Sequence, residues 1–119
     1  MLRLASDADV HGEIIRGLRR PLPEIDLARA QDALPVGVPD SAVLDWTTSE
    51  NWVLITNDRH TMVGTLYERA LSGEALIGII VTTNEQSIGA AIDDILLIAE
   101  YMPEEEIRNQ VVVFLPFRG

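Results

Sequence analysis

Trp52-Val53-Leu54-Ile55-Thr56-Asn57-Asp58 is the stretch that decides the fold. Five consecutive residues with β-branched, aliphatic or aromatic side chains are followed at once by two polar turn formers. No alternation separates a wet face from a dry one, so the run reads as a strand buried on both faces, which is the pattern of a parallel sheet covered by helices. Working outward, Leu2 to Ser6 is a similar short apolar run that ends in Asp7-Ala8-Asp9, and Leu76 to Val81 is another that ends in Thr82-Thr83. Val111 to Leu115 supplies a last strand, and Glu24 to Ala28 a further one.

Between these runs the apolar spacing changes to that of helices. Val10, Ile14, Ile15 and Leu18 mark a first helix, stopped by Pro21 and Pro23, with Asp9 as its expected N-terminal cap. Gln31 to Pro39 reads as a loop punctuated by Pro35, Gly37 and Pro39. Pro39-Asp40-Ser41 opens a second helix with Val43, Leu44 and Trp46 or Thr47 inward. Met62 to Leu71 forms a third, closed by Ser72-Gly73. From Ser87 the longest helix buries Ile88, Ala91, Ile92, Ile95, Leu96 and Ala99 and turns Asp93, Asp94 and Glu100 outward, and Pro103 to Arg108 is a short acidic turn or helix. Strands alternating with amphipathic helices predict a single α/β domain over residues 1–119, a three-layer α/β/α sandwich around a mainly parallel sheet of about five strands.

Composition narrows the function. The chain has 119 residues, 19 Asp plus Glu, and a net charge of −10; all nine fixed positive charges are arginine. Without lysine there is no Schiff-base chemistry and no phosphate-loop lysine, and without cysteine no thiolate nucleophile, disulfide or thiolate metal site. A broad basic face for nucleic acid is excluded. No apolar run approaches the roughly 20 residues of a membrane span and the N-terminus lacks a signal-peptide core, so the expectation is a cytoplasmic protein.

In doubly wound sheets the site lies beyond the carboxyl ends of the strands, where chain order reverses. Asp7 and Asp9 end the first strand and Asp58 follows the third, so these carboxylates converge if the two strands are neighbours. Asp40, at the start of the second helix, joins them only if the chain folds back across that edge. Crowded carboxylates repel one another and invite a hard divalent cation, which points to Mg²⁺ or Mn²⁺ and phosphodiester hydrolysis. On that reading Asp58→Asn is expected to raise stability by relieving repulsion. Asp45, Asp93-Asp94 and Glu104-Glu105-Glu106 read as solvated charge. His11 and His60 flank the same strand ends, and a zinc site built from them with Asp7 and Asp58 ranks below an all-oxygen one. Arg16, Arg19, Arg20 and Arg59 are candidates for a local phosphate-binding patch.

These segments also resemble a family. Leu4-Ala5-Ser6-Asp7-Ala8-Asp9-Val10 with Ile14-Ile15-Arg16-Gly17-Leu18-Arg19 is similar to the opening strand and helix of small bacterial PIN-like proteins. Pro39-Asp40-Ser41-Ala42-Val43-Leu44 and Trp52-Val53-Leu54-Ile55-Thr56-Asn57-Asp58-Arg59 resemble two further segments of that family, and the likeness continues through Gly78-Ile79-Ile80-Val81, Ser87-Ile88-Gly89 and Glu106 to Val111. The resemblance implies a PIN-type fold related to toxin ribonucleases of bacterial toxin–antitoxin pairs, with a Mg²⁺ or Mn²⁺ site, RNA as substrate and a small antitoxin as partner. It makes Asp7, Asp40 and Asp58 the catalytic acids, with Asp9 supplying a further charge to the metal, and has Thr56 or Asn57 orient a ligand or the scissile phosphate; Arg59 and Arg16, from the arginine patch above, complete the expected substrate-binding residues. Homodimers are common in the family, and Ile14, Leu18, Trp46 or Tyr67 would supply the face. Ala8, Ser41 and His60 stand where the family often has acids, which favours one metal over two, or an inactive scaffold. A non-catalytic module for a basic partner is therefore the alternative. A phosphoacceptor receiver domain, which shares the acidic outline through Asp7, Asp9, Asp58 and Thr82 or Thr83, lacks its required lysine.

Overall fold

The computed structural model describes residues 1–74, 78–110 and 112–117. Five strands, β1 (Leu4–Ser6), β2 (Leu27–Arg29), β3 (Val53–Thr56), β4 (Ile79–Val81) and β5 (Val112–Phe114), form one sheet in the order β2-β1-β3-β4-β5. Every pairing is parallel. Residues 75–77 and 111 lie outside the described residues, and with them the starts of two expected strands, at Leu76 and Val111. The helices are α1 (Gly12–Arg19), α2 (Ala30–Ala33), α3 (Asp40–Glu50), α4 (Thr61–Leu71), α5 (Ile88–Tyr101) and α6 (Glu104–Gln110). None of those described is long and apolar enough to cross a membrane.

Alternate residues of the strands feed two cores, because successive side chains leave a strand on opposite faces. Leu4, Ile55, Ile80 and Val113 pack with Ile14, Ile15 and Leu18 of α1, Ile95 and Ile98 of α5, and Ile107 of α6. Leu54, Ile79 and Val81 face the other way, onto Val43 and Leu44 of α3 and Met62, Val63 and Leu66 of α4. The result is the expected three-layer sandwich. Gly17 sits where α1 crosses α5; a side-chain carbon there would lie 2.1 Å from Ile92 Cδ1, so the close approach of the two helices depends on its absence.

Several local expectations change. The segment read as a loop from Gln31 begins inside α2, one helical turn without a side-chain cap. The second strand lies later than expected, at Leu27–Arg29, where it pairs with β1. α1 is capped by His11, whose Nδ1 accepts from Glu13 N at 3.1 Å, and not by Asp9. Asp94 is half-buried rather than solvated: one of its oxygens accepts from Gln86 Nε2 at 2.7 Å and Phe117 N at 2.9 Å, tying the chain end to α5. Asp45 pairs with Arg69 at 2.8 Å across α3 and α4. Ile14 and Leu18 are core residues, so they supply no dimer face; Trp46 is half-buried against Trp52, and Tyr67 stays exposed.

Candidate functional site

Chain order reverses at β1, which has β2 on one side and β3 on the other. Register places Ser6 beside Ile55, so the residues that follow, Asp7 and Thr56, emerge together at the carboxyl edge. Asp7 N donates to Ile55 O at 2.8 Å, extending the ladder by one bond and fixing where its side chain starts. The backbone then turns, with Val10 N donating to Asp7 O at 3.2 Å, and this turn returns Asp9 to the same spot.

Thr56, fully buried, is the hub of the arrangement. Its hydroxyl donates to Asp7 Oδ2 at 3.1 Å, and both Asp9 oxygens lie 3.4 and 3.5 Å from it. Its oxygen accepts Asp58 N at 3.1 Å. A hydroxyl carries one proton and serves one carboxylate at a time, so Asp7 and Asp9 compete for it. Asp7 Oδ1 accepts from Ala8 N at 2.9 Å, and Asp9 Oδ1 from Asn57 N at 3.0 Å.

The charges follow from this crowding. Burial pushes the Asp7 carboxyl up, hydrogen bonds from Ala8 and Thr56 partly offset it, and the Asp40 and Asp58 charges raise it further. Asp9 is likewise raised by burial, relieved by Asn57 N–H, and raised by Asp7 and Asp58. α3 does bring Asp40 to the same edge: it and Asp7 line one cleft of about 150 Å³. Among the described residues, none of the four carboxylates forms an ion pair.

Asp58 differs. Its carboxylate caps α4, accepting His60 N and Thr61 N at 2.9 Å and the Thr61 hydroxyl as well. The Thr61 hydrogen bond holds its pKa below the usual carboxylate range, against a smaller opposing effect of burial. This reverses the expectation for Asp58→Asn: the charge is stabilised by its neighbours, and removing it costs stability. Asp58→Ala should destabilise the fold by about 1 kcal/mol, as loss of a helix cap does, checked by urea unfolding at pH 7.

The remaining candidates divide. Asn57 is locked, its amide donating to Asn84 Oδ1 at 3.2 Å and accepting from Thr82 Oγ1 at 2.8 Å. Sequence reasoning missed Asn84 altogether and gave Thr82 no bracing role; the signal was that both follow the β4 run. With Asp9 and His11 these residues line a cleft of about 270 Å³. Arg59 is engaged elsewhere, its guanidinium 5.5 Å over the Phe114 ring. Arg16 pairs with Glu13 on α1. Among the described residues, no three His, Asp or Glu side chains are arranged to hold an ion together. The chemistry of the donor set still fits a hard cation: every donor is a carboxylate oxygen, Asp7 and Asp9 are raised by burial and by neighbouring carboxylates, and no arginine among the described residues pairs with them. No protein-family model, no curated protein and no solved structure matches the chain.

Proposed function

We propose that this chain is a Mg²⁺- or Mn²⁺-dependent ribonuclease of PIN-like type, the toxin of a bacterial toxin–antitoxin pair, hydrolysing RNA phosphodiesters at the carboxyl edge of β1 and β3. The observation that carries the reading is the gathering of Asp7, Asp9, Asp40 and Asp58 at the sheet's switch point without a cationic partner among the described residues. Asp7 and Asp9 would hold the metal, with Asp58 or Asp40 as third donor. Once bound, it supplies a water of lowered pKa and neutralises charge on the phosphate. The chain's own residues position these acids: Thr56 Oγ1 orients Asp7, Asn57 N–H orients Asp9, and the Thr82–Asn57–Asn84 bonds keep that N–H in place.

The test is cleavage of single-stranded RNA with Mn²⁺ or Mg²⁺ and with chelator, comparing wild type with Asp7→Ala and Asp58→Ala. Metal-dependent cleavage that both variants lose is expected. Wild-type cleavage no greater than that of the variants overturns the assignment. The cap that Asp58 makes on α4 favours a second reading, a non-catalytic module for a basic partner, since one candidate ligand is already engaged. Tight binding of an arginine-rich antitoxin-like peptide without any cleavage would select it. A cytoplasmic location and a homodimer through the exposed Tyr67 face belong to the same proposal. The receiver reading is dropped, because the chain has no lysine and the Asp58 carboxylate is tied to its own helix.

A further inference from the structure

Three of the nine arginines stand around one small cleft between α1 and β2: Arg16, Arg19 and Arg29, lining a space of about 110 Å³ together with Gln31 and an apolar floor. No acid lines it. The guanidinium groups are only partly engaged. Arg19 gives one nitrogen to Leu27 O at 2.9 Å, Arg29 stands a long 3.7 Å from Asp32, and Arg16 meets Glu13 on one side. Each guanidinium carries five N–H donors, so most remain for a ligand.

The cleft also lies at the right edge. Arg29 is the last residue of β2 and pairs in register with Ser6, the residue before Asp7. Gly12, which begins α1 three residues after Asp9, lines it as well. The arginines therefore flank the acidic centre on its β2 side.

We infer that this three-arginine cleft is a phosphate seat that anchors an RNA strand beside the carboxylate centre. Several guanidinium forks converging from different elements suit the oxygens of a tetrahedral phosphate, whereas the planar carboxylate of an acidic peptide is met by a single fork. With no lysine in the chain, this cleft carries much of the phosphate affinity. The choice of RNA rests on the nuclease reading above; the anion seat does not.

The test is fluorescence-anisotropy binding of a single-stranded RNA nonamer, with and without a 5′-phosphate, in chelator and over a range of salt concentrations. Arg19→Gln/Arg29→Gln and, separately, Arg16→Gln should bind about tenfold more weakly. For the double variant the slope of log K against log salt should become shallower by about 0.7, the value for one phosphate of a single strand. Arg108→Gln, at the opposite end of the sheet, should bind as wild type. A loss confined to the 5′-phosphorylated nonamer assigns the seat to a terminal phosphate, and a loss on both assigns it to an internal one. Wild-type affinity and slope in folded cleft variants overturn the inference, as does a wild type that binds no RNA. A polyglutamate peptide that binds more tightly than RNA, and is lost in the same variants, overturns it in favour of an acidic partner. Cleft-dependent binding without metal-dependent cleavage would sink the nuclease assignment alone. Cleavage with unchanged binding in the cleft variants would sink the phosphate seat alone.

Discussion

Asp7→Asn is expected to lower metal-dependent RNA cleavage at least about a hundredfold, the upper end of what loss of a ligand's supporting partner costs, and to raise stability at neutral pH. The two effects have one cause. Asp7 is ionised in a place that burial and the Asp40 and Asp58 charges make unfavourable, and a bound cation would turn that cost into affinity. Because its folded pKa is raised, the folded state binds more protons than the unfolded chain between the ordinary Asp value of about 3.9 and the raised value. The stability this group can contribute is complete below the unfolded value and is lost as pH rises through the folded one. Wild type should therefore gain stability as pH falls from neutral through the raised Asp7 range toward the ordinary Asp value, and Asp7→Asn should follow a flatter curve. Asp9, raised for the same reasons, predicts the same sign for Asp9→Asn. Asp58 acts in a separate window: its pKa is lowered, so its contribution is present at neutral pH and lost only below the ordinary range. Chemical unfolding over a pH series from neutral down to about 4, the ordinary Asp range, measures this, and lower stability of both Asn variants at neutral pH would contradict a crowded acidic edge.

Thr56→Val has the second large effect. Valine keeps the shape and removes the hydroxyl that serves Asp7, faces Asp9 and accepts Asp58 N. Leaving these groups without their partner should cost about 1–3 kcal/mol at pH 7. Cleavage should fall by about 10–100-fold, because Asp7 loses the bond that aims it. Thr56→Ser should restore most of both. A Thr56→Val protein with wild-type cleavage and stability would show that the hydroxyl organises nothing.

How much of this was legible in the sequence depends on how local each cause is. Val53 to Thr56 reads directly as a strand because both its faces are apolar, and the meeting of Asp7, Asp9 and Asp58 followed from strand adjacency alone. α2 left no mark, since a single uncapped turn, Ala30–Ala33, shows no periodic stripe. Asp9 was misread as a helix cap because the turn that bends it back to Asn57 depends on Asp7 already being docked on β3. Asp94 looked solvated on helical spacing, whereas Gln86 and the backbone of Phe117 both reach it across the fold. Arg29 joins Arg16 and Arg19 because β2 pairs with β1 in one register, which no single-segment pattern carries. The carboxylate edge was therefore visible from strand ends, whereas its bracing by Thr82 and Asn84 and its basic flank are products of tertiary pairing.

On the proposed function, the β1–β3 edge would bind a hard divalent cation through Asp7 and Asp9. The most direct measurement is the unfolding temperature of wild type, Asp7→Asn and Asp9→Asn titrated with Mn²⁺ at pH 7. A ligand that binds only the folded state stabilises it by about 2.7 kcal/mol at a hundred times its dissociation constant. A concentration-dependent rise is expected for wild type and little or none for either variant. No rise in wild type, or the same rise in all three proteins, would contradict cation binding at this edge.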